Sequence, residues 1–166
     1  MKDAEGSLRL DQIDLKILTK LQADARITNQ DLADAVGLSP SPCLQRVKRL
    51  EKAGVIASYR VQIDLNKVCR HVDVVAAVTL NSHGPEDFIN FERMVVSMRY
   101  VVECTKVSGA IDYFVRFICP DVGAYQMLSD ELLKLGPKVG NLSSHVVLNT
   151  IRQFTGVALD DLVSDR

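Results

Sequence analysis

The residues with the most chemical potential in this chain are bases and small polar groups spaced to meet a polyanion. Between positions 40 and 52, Arg46, Lys48, Arg49 and Lys52 face a single acid, Glu51, a local excess of three positive charges. The whole chain carries a formal charge of -1, so any pull on nucleic acid has to come from such a local patch. Ser41, Gln45, Lys48, Arg49 and Lys52 recur at steps of four, three, one and three, which puts them on the outer side of a helix with Arg46 on its flank. Cys43, Leu44, Val47 and Leu50 recur at three and four and are expected to face inward. Lysine and arginine hold phosphates, while serine and glutamine can reach base edges. A polar helix face is ordinarily just solvated, so the stripe gains meaning only from the elements around it.

Catalytic chemistry finds no comparable constellation. His71, His83 and His145 are isolated, and no nucleophile motif or phosphate-cradling glycine loop occurs. His83-Gly-Pro-Glu-Asp87 reads as a helix start. The four cysteines, Cys43, Cys69, Cys104 and Cys119, form no CxxC pair, have no histidine at zinc-finger spacing, and each reads as a small buried hydrophobe. No enzyme activity, catalytic residue, metal site or cofactor is expected. The charged first ten residues lack the apolar stretch of a leader, and no apolar run reaches the roughly 20 residues that cross a bilayer. The expectation is a cytoplasmic protein with no membrane partner.

The positioning elements follow from capping and periodicity. A first helix is predicted after Asp11, with Asp14 adding negative charge at its positive end and Ile13, Ile17, Leu18 and Leu21 on one face. A second starts at Thr28, whose partner Asp31 completes a T-x-x-D box; Leu32, Ala33 and Val36 face inward and Gly37 ends it. Ser39 can cap the third helix, Pro40 suits its first turn, and Gly54 closes it. Only Gly37, Leu38 and Ser39 separate the second and third helices, the tight turn of a DNA-binding helix-turn-helix. In that motif the N-terminal end of the second helix enters the major groove. Residues 55–63 alternate and predict one or two short strands, a wing in which Arg60 can meet phosphate.

Beyond a weakly periodic linker, residues 64–71, strands and helices alternate. Strands are predicted over 72–80, 100–107, 113–119 and 142–154. One helix opens at Pro85 with Phe88, Phe91, Val95 and Met98 buried; another buries Val122, Tyr125, Leu128, Leu132 and Leu135 and breaks at Gly136-Pro137. The fold class is therefore α+β: a winged helix-turn-helix domain over 1–63, the linker over 64–71, and a βαββαβ ferredoxin-like domain over 72–166. Such a sheet packs helices on one face and leaves the other needing cover, for which a second subunit is the natural choice.

Three stretches carry a resemblance over nearly the whole chain: 10–18, LDQIDLKIL; 25–29, ARITN; and 36–51, VGLSPSPCLQRVKRLE. In the second half, Val107-Ser-Gly-Ala-Ile-Asp-Tyr113 resembles a Gly-x-x-Asp-Tyr hairpin and 120–125, PDVGAY, the helix start that follows it. The chain strongly resembles the leucine-responsive and asparagine-operon (Lrp/AsnC) family of transcriptional regulators. The resemblance implies a sequence-specific, bacterial nucleoid-associated regulator that binds double-stranded DNA and is modulated by a small molecule, typically an amino acid. It also implies homodimers formed through the second domain, assembling to octamers, with the effector near the hairpin between dimers. The candidate DNA contacts are Thr28, Asn29, Ser39, Ser41, Pro42, Gln45, Arg46, Lys48 and Arg49, with Arg46, Lys48 and Arg49 supplying the salt-dependent part.

The candidate effector contacts are Gly109, Asp112, Tyr113, Ser144 and His145. Ser144 falls where relatives commonly carry threonine, and His145 where they often carry an aromatic or larger residue. Physically, backbone N–H groups at Gly109 can hold a carboxylate and Asp112 can pair an ammonium. Equally, Gly109 can serve only the turn, Asp112 the turn amides, and Tyr113 the core.

Overall fold

A computed structural model describes residues 8–134 and 138–163. The chain divides into two compact units: residues up to Gln62 together with those from Arg152 onward, and residues Ile63–Ile151 between them.

The first unit is built on three helices, α1 (Gln12–Ala23), α2 (Asn29–Val36) and α3 (Pro40–Lys52). α1 starts where a reciprocal box forms: the Asp14 amide donates to the Asp11 carboxylate at 2.8 Å, and the Asp11 amide to that of Asp14 at 3.1 Å. Thr28 caps α2 by accepting from the Asp31 amide at 3.1 Å. Gly37, at φ +74°, ends α2 in the left-handed region while the Leu38 amide reaches back to the Ala33 carbonyl at 2.9 Å. The three helices bury Ile17, Leu18, Leu32, Ala33, Val36, Cys43 and Leu50. Leu44, expected inside, is 42 % exposed. At about 100° per residue it sits a quarter-turn or more away from the Cys43–Leu50 line, facing away from the packed side.

Three expectations need correction. Ser39 occupies the N-cap position of α3 without a side-chain cap bond; the rigid Pro40 behind it sets the first turn instead. No strand forms over 55–63: Val61 is 87 % exposed, and alternation alone cannot make a ladder without a paired backbone. The domain limit at 72–166 also moves. Residues 152–163 pack with the helices: Val157 and the Gln22 side chain exchange two hydrogen bonds, and Leu159, opening α6 (Leu159–Val163), joins the helical core. In the stretch 64–71 a single 3-10 turn forms at Leu65–Lys67.

The second unit runs β1 (Val72–Leu80), α4 (Pro85–Ser97), β2 (Val101–Lys106), β3 (Tyr113–Cys119), α5 (Val122–Lys134) and β4 (Val139–Val146). The four strands form one antiparallel sheet in the order β2-β3-β1-β4, the ferredoxin-like arrangement. β3 alternates cleanly, burying Tyr113, Val115, Phe117 and Cys119 beneath the helices. In register with it, Val74, Ala76, Val78 and Leu80 of β1 are buried, and Phe91, Val95, Met98, Tyr125 and Leu132 close the core from α4 and α5. Phe88 packs at the core margin. Val122, expected in the buried stripe, is exposed at the first turn of α5; Leu135 and the break at Gly136-Pro137 lie outside the described residues. β4 ends at Val146, opposite Val74, and not at 154; one further bond runs from the Val147 amide to the Asp73 carbonyl at 2.8 Å, and β1 itself begins at Val72, so residues toward 154 have no partner backbone in it. Cys69 and Cys104 are exposed, against expectation: one lies outside the sheet core, the other on edge strand β2.

Candidate nucleic-acid interface and effector site

On α3 the described side chains sort into three lines. Cys43 and Leu50 point into the unit. Ser41, Gln45, Lys48 and Lys52 form the opposite, exposed line, with Pro42 exposed beside it. Among the described residues neither Lys48 nor Lys52 takes part in an ion pair, so this line presents two cations, a hydroxyl and an amide to solvent.

Arg46 and Arg49 are used differently. Arg46 Nη1 donates to Asp11 Oδ2 at 2.7 Å and to Asp14 Oδ1 at 2.9 Å, and Arg49 Nη2 donates to Asp14 Oδ2 at 2.5 Å. Asp14 is 0 % exposed, the only charged side chain fully buried among the described residues. A buried carboxylate without partners would cost several kcal/mol, so both guanidiniums are committed to it. Burial pushes the Asp11 carboxyl upward, but the Asp14 amide and Arg46 outweigh it and hold the group below its ordinary value. The same bonds, to Asp11 first and then Asp14, raise Arg46 further. Arg46 and Arg49, expected to hold phosphates, thus stand in ion pairs with Asp11 and Asp14.

The turn side chains are also partly occupied. Asn29 Nδ2 donates to the Pro40 carbonyl at 2.9 Å, tying the start of α2 to the start of α3, and its buried Oδ1 has no partner. Thr28 spends its hydroxyl on Asp31, donating to the carboxylate at 2.7 Å as well as capping the helix. Ser39 remains exposed in the turn.

In the second unit the hairpin between β2 and β3 is closed by the Val107 amide on the Asp112 carbonyl at 2.9 Å. Gly109 takes φ +119°, a conformation side-chain-bearing residues rarely adopt, and open space surrounds it. Asp112 is half-buried: its amide donates to Val78, its Oδ2 accepts the Leu80 amide at 2.7 Å, and His83 Nε2 lies 3.1 Å from Oδ1. A carboxylate oxygen accepts more than one hydrogen bond, so Oδ1 keeps acceptor capacity beyond its contact with His83.

Tyr113 is 1 % exposed and belongs to the core, the second of the two roles open to it. Its hydroxyl donates to Glu92 Oε1 at 2.7 Å and its ring lies 4.5 Å from that of Phe91. Burial first, then the Glu92 bond, drives its ionisation well above the ordinary phenol range. The same bond, followed by Lys106 at 3.2 Å, holds Glu92 below its ordinary value.

Ser144 and His145 do not join the hairpin residues within the chain. β3 and β4 flank β1 on opposite sides, with Tyr113 opposite Val78, Ser144 opposite Ala76 and His145 opposite Val75. Ser144 Oγ pairs with the Tyr125 hydroxyl at 2.5 Å, whereas His145 Nε2 lies 3.2 Å from Ser143 Oγ. Sequence reasoning missed Asp14, His83 and Glu92, the acids and base that hold the expected site residues. Asp14 alone left a signal, its place three residues after a helix cap.

This geometry coincides with two family models. A winged helix-turn-helix DNA-binding model matches residues 10–57, and a Lrp/AsnC ligand-binding domain model matches 73–157. This chain belongs to the Lrp/AsnC family. It is 38 % identical over 158 residues to the transcriptional regulatory protein DoeX of Halomonas elongata, covering 95 % of this chain and all of that protein. The leucine-responsive regulatory protein of Escherichia coli is 39 % identical over 144 residues, 87 % of this chain and 88 % of the relative. An AsnC family transcriptional regulator from Agrobacterium tumefaciens superimposes with TM-score 0.82 at 32 % identity, covering 93 % of this chain and 100 % of its own. A transcriptional regulator from Neisseria meningitidis solved in complex with L-methionine gives TM-score 0.84 at 30 % identity, with the same coverage. Like these Lrp/AsnC proteins, the chain is a transcriptional regulator that joins a DNA-binding helix-turn-helix to a ligand-binding domain. None of its described helices is long and apolar enough to cross a membrane.

Proposed function

We propose that the exposed line of α3 reads operator DNA and that an amino acid, bound at the 107–113 hairpin, tunes that binding. Ser41, Pro42 and Gln45 meet base edges near the N-terminus of α3, and Lys48 holds phosphate. Thr28, Asn29 and Ser39 frame the contact from the two helix starts. The observation that carries the reading is the unpaired Ser41–Gln45–Lys48–Lys52 line on the second helix of a Gly37 turn, in a chain of this family.

For the effector, Gly109 amides hold the carboxylate and the free capacity of Asp112 Oδ1 takes the ammonium. The L-methionine complex of the Neisseria relative supports this ligand class. The exposed face of the sheet, with Val75, Phe114 and Val147 around a shallow depression of ≈ 360 Å³, is covered by a second copy. Ser144 and His145 then meet effector through neighbouring copies, and dimers assemble into octamers. The protein works by binding alone, without a catalytic step, on the bacterial nucleoid in the cytoplasm.

Two measurements test this. In fluorescence anisotropy against an operator and a scrambled duplex, Gln45→Ala should narrow the preference, while Lys48→Ala should weaken both and flatten the salt slope by about one. Unchanged behaviour of both variants refutes the α3 reading. A thermal-shift screen of the twenty amino acids should show at least one stabiliser, worth about 2.7 kcal/mol at 100 times its dissociation constant. A flat screen refutes the amino-acid effector.

A further inference from the structure

We infer that Asp14 is a positioning residue for DNA binding: it withdraws Arg46 and Arg49 from the phosphate-facing surface and locks α3 to α1. The inference rests on the reading of α3 as the DNA-facing helix. Three donors converge on the buried Asp14 carboxylate: the Asp11 amide at 3.1 Å, Arg46 at 2.9 Å and Arg49 at 2.5 Å. The two arginines come from positions 32 and 35 residues later in the chain, so the carboxylate clamps the start of α1 against the middle of α3.

The geometry separates the basic residues of α3 into two pairs. At about 100° per residue, Lys48 and Lys52 lie opposite the buried Cys43 and Leu50. Arg46 and Arg49 lie on the flank between those lines, where α1 supplies the acids. A guanidinium held at 2.5–2.9 Å by a desolvated carboxylate is already neutralised. Turning it to a phosphate would leave Asp14 charged and dry, a larger loss than a solvent-exposed phosphate contact returns. The cationic count along α3 therefore overstates its reach: Lys48 and Lys52 face the polyanion, while the arginines set the angle at which the helix stands.

The salt dependence of DNA affinity distinguishes this role from plain structural support, because each phosphate-bound cation contributes about 0.9 to the slope of log affinity against log salt. We expect Arg46→Gln and Arg49→Gln, each in the full chain, to lower the melting temperature but leave the wild-type slope unchanged. A slope flatter by about one in either variant places that arginine on phosphate and overturns the inference. Asp14→Asn releases the Arg49 guanidinium while Asp11 still holds Arg46 at 2.7 Å, so the slope should steepen by about one at affinities measured on the same duplex. An unchanged or flatter slope in a folded Asp14→Asn protein, with native circular dichroism, also overturns it. Should Asp14→Asn not fold, the two glutamine variants decide alone. Lys48→Ala/Lys52→Ala tests the underlying reading: a slope flatter by about two keeps α3 on DNA, and an unchanged slope removes α3 from the interface, whatever the arginine variants show.

Discussion

Replacing Tyr113 by phenylalanine isolates one hydrogen bond in the core of the ligand-binding unit. The ring keeps its place, 1 % exposed, 4.5 Å from Phe91 and 6.2 Å from Phe88, so no cavity opens. What is lost is the 2.7 Å bond from the hydroxyl to Glu92. A hydrogen bond to a charged group contributes about 1.5–3 kcal/mol. The Glu92 side chain is 45 % exposed, so water takes over part of the bond and the expected loss falls to about 1 kcal/mol. For a unit of this size that is a fall of roughly 4–8 °C in Tm.

The pH dependence supplies a second, independent signature. Tyr113 and then Lys106 hold the Glu92 carboxyl below its ordinary value in the folded state. Its contribution is therefore present above the unfolded carboxyl range, near 4.3, and disappears as pH falls through the lower folded value. Wild type and Tyr113→Phe should differ fully at pH 7 and converge in strong acid. Urea denaturation of both proteins between pH 7 and pH 3, followed by tyrosine-independent circular dichroism, makes the comparison. Equal stability at pH 7, or a difference that persists undiminished at the acid end, would refute the argument.

Other positions give sharper single readings. Gly37→Ala should cost about 1 kcal/mol, purely from the left-handed backbone at φ +74°, since nothing crowds an added Cβ there; chemical denaturation showing no loss contradicts this. Asn29→Asp places a carboxylate against the Pro40 carbonyl where a donor sat at 2.9 Å, and should cost about 1–3 kcal/mol by the same measurement. Asp112→Asn keeps an acceptor for the Leu80 amide and should change stability by less than about 1 kcal/mol. It should nevertheless weaken the amino acid that stabilises the wild type by roughly 10- to 100-fold in calorimetric titration. An unaltered affinity would remove Asp112 as the ammonium partner.

Local chemistry was readable wherever a residue acts on its own neighbours. Thr28, Gly37, Pro40 and Gly54 punctuate the helices as their types demand, and the β1 and β3 limits match the alternation at Val72–Leu80 and Tyr113–Cys119. What periodicity does not carry is the identity of the neighbour across a gap. It gave Arg46 and Arg49 a side of α3 but not the acids waiting on α1, and it gave Asp112 a hairpin but not His83 on the far loop. Hydrophobic type likewise misjudged Leu44 and Cys104, because apolar character states a preference and packing decides whether it is met. The strand expected over 55–63 is absent for a related reason: strand pairing is a property of two segments, and alternation over 55–63 describes only one.

The return of residues 152–163 to the helical unit has a consequence for how the protein is made. Gln22 waits for Val157, and the α1 side of the core waits for Leu159, across the 89 residues of Ile63–Ile151. At about 5–20 residues per second, a nascent chain that has already emitted α1 to α3 stands for roughly 4–18 s before the ribosome delivers that covering segment. The reading head is thus completed last, after the sheet that listens for the ligand has been synthesised.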